Sequence, residues 1–504
     1  MTTEELDRAT VGAAFTRAAE RRPDAIALRW TADGQPGAMT YAQLLERARR
    51  GAAALAAQLA PGERVAIWSA NDPAWIVAQL AAALAGAVLV PINPALTDPE
   101  AAFIVRASGA RLLLAGRPWR GRDLSGSAAT FGVDVRPLDT WSEHAPADGS
   151  VSRDVGPDDL LLIQYTSGTT GTPKGAMLSH LVGANVGPIS HRALGLGPDD
   201  VVCSPLPFHH VGGSLCTVLA TLLRGGTYVV LPGFDPAETL ATLVRDDVTF
   251  FGCVPTMLIA LLEHAGGRPP ALPALKRVMV GGTTVPPPLI VRIENAFGVE
   301  VFNGYGQSEA PSALQTRPGD SVTVKAVTVG RPNAHRDVAI VDPATGAPLA
   351  AGEVGELCLR GPLTMTGYWD DAGEGRSVID GDGWLHTGDL GTQDGSGVVT
   401  LHGRLRDVII RGGENIYPAE VEAVLGTHPA VADVVVVAAP DPLWGEVPAA
   451  FVRSAAAPLD PAELEAFARE RLAGFKVPRI WREVEQFPLT ASGKVQRFRL
   501  AGQL

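Results

Sequence analysis

Apolar positions along the chain switch repeatedly between two periods, and the switching outlines a fold. Short apolar runs, RVAIWS from Arg64, AVLVP from Ala87 and RLLLA from Arg111, read as strands buried on both faces. Between them AWIVAQLAAALAG from Ala74 carries the helical repeat, as expected of parallel strands joined by covering helices. Residues 116–159 are rich in Gly, Pro, Ser and Asp and are expected to run over the surface. The strand LLLIQY at Leu160 then restarts the alternation through VTFFGCV, KRVMVGG and VEVFNGYG. Two similar halves predict an α/β core that is doubly wound, with ligands beyond the carboxyl ends of its strands.

The pattern changes twice more. Over residues 321–401 helical periodicity gives way to short strands and Gly/Pro/Asp turns, predicting a small β-rich subdomain. From Arg406 come DVIIRGG, a helix opening at Pro418, the strands ADVVVVAAP and AAFVRS, a helix from Pro461 and a strand near Ile480. That is a compact α+β domain. The expected division is a large domain over 1–405, made of two doubly wound subdomains and the β-rich one, and a small mobile domain over 406–504.

Composition removes several function classes. With 504 residues, 46% of them hydrophobic and 19% charged, the chain is long enough to bury cores in two or more domains. A net charge of -12 with no basic block disfavours nucleic acid and anionic membranes as partners. The start, MTTEELDRAT, is not a signal peptide, and the longest apolar stretch is broken by Gln79 and Gly86, so a cytoplasmic protein without membrane insertion is expected. Cys203, Cys216, Cys253 and Cys358 lack CxxC spacing and read as core residues.

The most telling run is YTSGTTGTPKG, from Tyr165 to Gly175. Glycines let backbone amides converge on an anion, while Thr166, Ser167, Thr169, Thr170 and Thr172 offer hydroxyl donors and Lys174 a mobile charge. This is the chemistry of a phosphate cradle. Lys174 lies between Pro173 and Gly175, so the Walker order is absent and a P-loop NTPase is excluded.

Four further segments occur in a fixed order: NGYGQSEA from Asn303, HTGD from His386, GRLRDVIIRGGENIYPAEVE from Gly403 and PLTASGK from Pro488. With the threonine-rich loop they resemble the adenylate-forming family, which includes AMP-dependent acyl-CoA synthetases, peptide-synthetase adenylation domains and beetle luciferases. The likeness spans about Thr40 to Arg497. It implies attack of a carboxylate on the α-phosphorus of ATP, loss of pyrophosphate, and transfer of the acyl group to CoA. The developing charge on phosphate needs a metal and a cation.

The resemblance also implies roles residue by residue. Thr166, Ser167, Gly168, Thr169, Thr170, Gly171 and Lys174 would hold the phosphates of ATP, and Glu309 with Thr166 would bind Mg2+. Asn303, Gly304, Tyr305, Gly306, Gln307 and Ser308 would contact the nucleotide, with the Tyr305 ring on adenine and Gly282 and Thr283 alongside the purine. Asp389, placed by the sequence in a tight turn, would take the ribose hydroxyls, with Arg404 nearby. Lys494 would be catalytic for adenylation, reaching the α-phosphate when the small domain folds over the large one. Arg406 stands at the family's hinge position in place of the commoner lysine or aspartate, and Gly412 and Gly413 would leave room for pantetheine in the thioester step.

PLPFHHVGG from Pro205 resembles the segment lining the family's acyl pocket, with His210 on the usual histidine and His209 where an aromatic is usual. No Lys or Arg falls in the four expected pocket segments, 207–216, 251–258, 279–285 and 303–313, so a second carboxylate on the substrate would lack a partner there. The glycines and Val254, Met257 and Pro311 suit an apolar tail, so a medium or long fatty acid is expected first and an aryl acid second. Rival readings are transfer to a carrier protein, activation of nitrite for an aryl amine, and a nucleotide-binding scaffold without turnover. A homodimer is left open.

Overall fold

The computed structural model describes the chain outside residues 1–4, 33, 143–152, 167–172, 267–269, 282–286, 370–377, 413, 456–457 and 490–494, and leaves out the side chains of 287 and 288. By internal contact it forms two compact units, residues 1–338 with 359–385, and residues 339–358 with 386–504. The small β-rich sheet thus groups with the C-terminal residues.

The larger unit holds two sheets. One runs in the order Asp134–Pro137, Leu112–Ala115, Arg64–Trp68, Val88–Ile92, Leu160–Thr166, Lys174–Ser179, Tyr368–Trp369. Its strands are parallel until Leu160–Thr166, where Lys174–Ser179 and then Tyr368–Trp369 add antiparallel. The other places Phe250–Cys253, Arg277–Gly281 and Glu300–Gln307 side by side in parallel, then adds Ala310–Gln315 antiparallel. Each parallel core therefore ends in an antiparallel hairpin, and each hairpin carries candidate chemistry.

Burial explains the parallel cores. Trp68, Val90, Leu113 and Ile163 pack in one, and Phe251, Val278, Val301 and Ile290 in the other, each worth about 1.5–3 kcal/mol on burial. The helix Pro73–Ala85 is buried nearly all round. It starts at Asp72, whose side chain accepts from the Ala74 N–H at 2.8 Å, and stops at left-handed Gly86.

Three local expectations change. Residues 116–159 contain a short helix, Leu124–Ala128, and an edge strand, Asp134–Pro137, because Leu124 and Ala128 find apolar cover. Val322–Val327 looks like a strand by composition but is helical, capped by Ser321, whose hydroxyl accepts from the Val324 N–H. The strand expected at VEVFNGYG runs one residue further, to Gln307.

In the smaller unit Asp337–Val341, Gly355–Arg360, Leu385–Gln393 and Val399–Arg404 make a four-stranded sheet. A second sheet joins Ile409–Arg411, Glu414–Ile416, Val431–Asp441, Gly445–Ser454 and Ile480–Glu483, covered by the helices Pro418–Leu425 and Pro461–Arg469.

Candidate active site

In the larger unit the threonine-rich loop closes the hairpin of Leu160–Thr166 and Lys174–Ser179, with Thr166 and Lys174 as cross-strand partners. Ser167, Gly168, Thr169, Thr170 and Gly171 lie outside the described residues, as do Gly282 and Thr283. The Thr166 hydroxyl sits 3.5 Å from the Lys174 carbonyl. Gly175 is required by packing, since a Cβ there would come 2.6 Å from Ile163 Cγ2.

The other hairpin turns at Ser308 and Glu309, because Gln307 pairs with Ala310. Gly306 permits the bulge before the turn; a Cβ would lie 2.6 Å from the Ser312 nitrogen. Glu309 is 8% exposed, and its carbonyl accepts from the Met365 N–H at 2.7 Å. Its Oε1 accepts from the Tyr368 hydroxyl at 2.7 Å. The Lys174 ammonium stands 5.1 Å from the centre of the same Tyr368 ring. Tyr368 therefore links the cation of one hairpin to the carboxylate of the other.

Gln307 donates to the Tyr305 hydroxyl at 3.3 Å, so these two residues share a face of their strand. Gly304 passes close under Met279, and Ser308 is buried. Asn303 turns into the protein, donating to the Thr328 carbonyl at 2.9 Å while its Oδ1 has no partner. That is a stitch between segments.

The PLPFHH loop is pinned from two sides. Asn71 donates to Leu206 O and accepts from the Phe208 N–H, and Gln164 donates to His209 O at 3.0 Å. His210 caps the next turn, its Nδ1 accepting from the Gly212 N–H at 3.2 Å. Burial pushes the His209 imidazole down to about 3, so it is neutral at physiological pH. Gly213 fits only without a side chain, since a Cβ would meet the Pro207 carbonyl at 2.2 Å. The backbone then runs through a π-helical stretch, Ser214–Leu219, a feature often found beside functional sites and not legible in the sequence.

In the smaller unit Asp389 and Arg404 are cross-strand partners, with Arg404 Nε 3.3 Å from Asp389 Oδ1. Asp389 lies within the strand Leu385–Gln393, not in a tight turn. Glu356 anchors the strand: its Oε1 accepts from the Gly388 N–H at 2.9 Å and its Oε2 pairs with His386 Nδ1 at 2.8 Å. The Thr387 hydroxyl donates to Leu357 O at 2.6 Å. Glu356, Cys358 and His386 converge as metal ligands can, but both Glu356 oxygens already have protein partners. We read the cluster as a clamp that fixes HTGD.

Arg406 is half-exposed beside Asp407, and Gly412 has φ 59° under the Trp444 ring, where a Cβ would meet it at 2.7 Å. Gly413 and Lys494 lie outside the described residues. The segments flanking 490–494 are tied together by a Leu489–Val495 bridge and the Gln496 N–H on Pro488 O. Behind them Arg497 forks onto both Glu422 oxygens at 2.6 and 2.9 Å.

The AMP-binding enzyme model matches residues 15–369, and the AMP-binding enzyme C-terminal domain matches residues 420–494. The chain belongs to the AMP-binding enzyme family. Within this adenylate-forming superfamily its class is that of the AMP-forming acyl-CoA ligases. A feruloyl-CoA synthase of Amycolatopsis sp is 39% identical over 91% of this chain and 92% of its own length. A mitochondrial medium-chain acyl-CoA ligase of Bos taurus is 32% identical, over 99% of this chain and 88% of that one. The crystal structure of ATP-bound MatB from Rhodopseudomonas palustris superposes with a TM-score of 0.90 at 29% identity, covering 98% of this chain and 99% of that one. Such a fold, a large N-terminal and a small C-terminal domain, is that of a family that takes ATP and CoA as substrates. No helix among the described residues is long and apolar enough to cross a membrane.

Three residues or features escape sequence reasoning: Tyr368, Glu356 and the π-helical stretch. For Tyr368 the one available signal is the aromatic pair after Gly367, which reads as an edge strand and not as a site.

Proposed function

We propose that this family member activates a monocarboxylic acid with a largely apolar body, a medium or longer fatty acid first and an aryl acid second, and passes the acyl group to CoA. The observation that carries the reading is the Lys174–Tyr368–Glu309 chain, which sets a cation and an acidic oxygen ligand at the ends of two adjacent hairpins. Both relatives named above act on acids of these kinds, one aryl and one alkyl.

Glu309 suits Mg2+. It is a buried carboxylate with Oε1 oriented by Tyr368 and no partner for Oε2 among the described residues, and magnesium prefers one or two such oxygens. When bound, the metal supplies neutralisation of phosphate charge. Lys174 adds a further cation, Tyr305 offers a ring face for adenine, and Asp389, oriented by Arg404, accepts ribose hydroxyls. His210, whose Nδ1 accepts from the Gly212 N–H, is assigned to the acyl pocket. Lys494 is assigned to adenylation, Gly412 and Gly413 to the thioester step, and Arg406 to the pivot between them.

Mass spectrometry of products formed from ATP, Mg2+, CoA and a pool of fatty and aryl acids tests the reading. AMP with one family of acyl-CoA masses is expected. Acyl-adenylate without thioester would redirect the acceptor to a carrier protein or an amine, and unconsumed ATP with every acid would support the scaffold.

A further inference from the structure

Arg336 lies outside the four segments expected to line the carboxylate pocket. Arg336 is 7% exposed. Its Nη2 donates to the carbonyls of Pro311 at 2.7 Å and Leu363 at 2.8 Å, while its Nη1 is buried with no acceptor. No carboxylate pairs with it among the described residues, and burial pushes its guanidinium down to about 10, with Cys216 as its one charge-coupled neighbour. Pro311 and Cys216 belong to two of the segments expected to line the carboxylate pocket. Arg336 thus meets two of those segments from outside them, one through the Pro311 carbonyl.

Two neighbours reinforce the anomaly. Asn333 Oδ1 and His335 Nε2 are also buried without partners, so three of four successive residues carry an unmet polar atom. His335 holds a left-handed backbone, φ 62°, packed against Gly361, where a Cβ would come 2.3 Å from the His335 carbonyl. Buried polar groups normally find partners, and backbone strain persists where the surroundings hold it in place. A lone guanidinium in such a place calls for an oxygen acceptor.

We propose that Arg336 is a specificity-determining residue whose Nη1 donates to a second oxygen of the substrate, a carbonyl or carboxylate remote from the carboxyl being activated. This rests on the acyl-CoA ligase reading and revises its substrate to an apolar body ending in an acceptor oxygen, with a diacid admitted beside the monocarboxylic acid. A site built around a buried donor discriminates strongly against an analogue that leaves the donor unpaired.

The test compares kcat/KM for acids of equal length that end in a methyl group, a methyl ketone or a second carboxylate, in the wild type and in Arg336→Met. The wild type is expected to prefer the ketone or the diacid by about tenfold or more, and Arg336→Met to erase or invert that preference. The stronger of the two oxygenated acids tells a neutral acceptor from an anion. Equal use of the plain acid by the wild type, or an unchanged preference in a folded Arg336→Met, would overturn the proposal. Should the variant fail to fold, the wild-type ratio decides alone. Acyl-CoA formed without preference removes only the role of Arg336, whereas no acyl-CoA from any acid removes the ligase reading.

Discussion

The larger and smaller units position their candidate residues in opposite ways. In the larger unit Lys174, Glu309 and Tyr368 come from three separate stretches of chain and meet because two parallel sheets each end in an antiparallel hairpin. In the smaller unit Asp389 and Arg404 face each other across one hairpin, and the support from Glu356 comes from the neighbouring strand. Chemistry that handles phosphate charge is thus assembled by tertiary structure, while the Asp389–Arg404 pair is assembled by local register. Substitutions in the first should act on rate, and those in the second on nucleotide affinity.

The largest effect is expected at Glu309. Glu309→Gln keeps the size and the contact with Tyr368 but removes the charge, and adenylation should slow by about 10² to 10³. Stopped-flow or pyrophosphate-exchange rates check this, and a change confined to KM for ATP would break the contrast. Tyr368→Phe removes one hydrogen bond to a buried carboxylate, worth about 1.5–3 kcal/mol, so a loss of roughly ten- to a hundredfold in the same rate is expected. A rate within twofold of wild type would show that Tyr368 merely fills space.

In the smaller unit Glu356→Ala leaves the Gly388 N–H and His386 without their acceptor. A weakening of ATP binding by about tenfold follows, with the rate at saturation nearly unchanged. Calorimetric titration with ATP reads it, and a fall in kcat at unchanged affinity would erase the distinction between the units.

Acid should weaken the larger unit, although burial also lowers the pKa of His402 in the smaller one. Burial holds His180 down to about 4 and His191 to about 3, both in the larger unit. The unfolded chain takes up these protons below its ordinary pKa of about 6.5, whereas the folded chain does not, so stability falls as pH drops through 6.5 toward 4. By pH 5 each costs up to about 2 kcal/mol. The melting temperature should therefore drop between pH 7 and pH 5, and a pH-independent transition would contradict the burial of these rings.

What the sequence revealed follows the same division. Buried parallel strands announce themselves as apolar runs, so the α/β core and the helices from Pro418 and Pro461 were legible. Short polar segments were not: six residues from Val322 take helix from one cap, and Asp389 sits in a strand although a glycine precedes it. Tyr368 and Arg336 were invisible because each acts through a partner at least 25 residues away, a relation that only the folded chain creates. Residue type named the chemistry at Lys174, the family resemblance named it at Glu309, and the fold supplied the link between them.

The central claim is that one carboxylate and one cation on the large domain serve ATP, while the small domain contributes a lysine for the first half-reaction alone. The direct measurement takes Lys494→Ala through both half-reactions: acyl-adenylate formation from ATP, and acyl-CoA formation from preformed adenylate. The account predicts loss of the first by about 10² to 10³ or more with the second largely intact. Equal loss in both would contradict it.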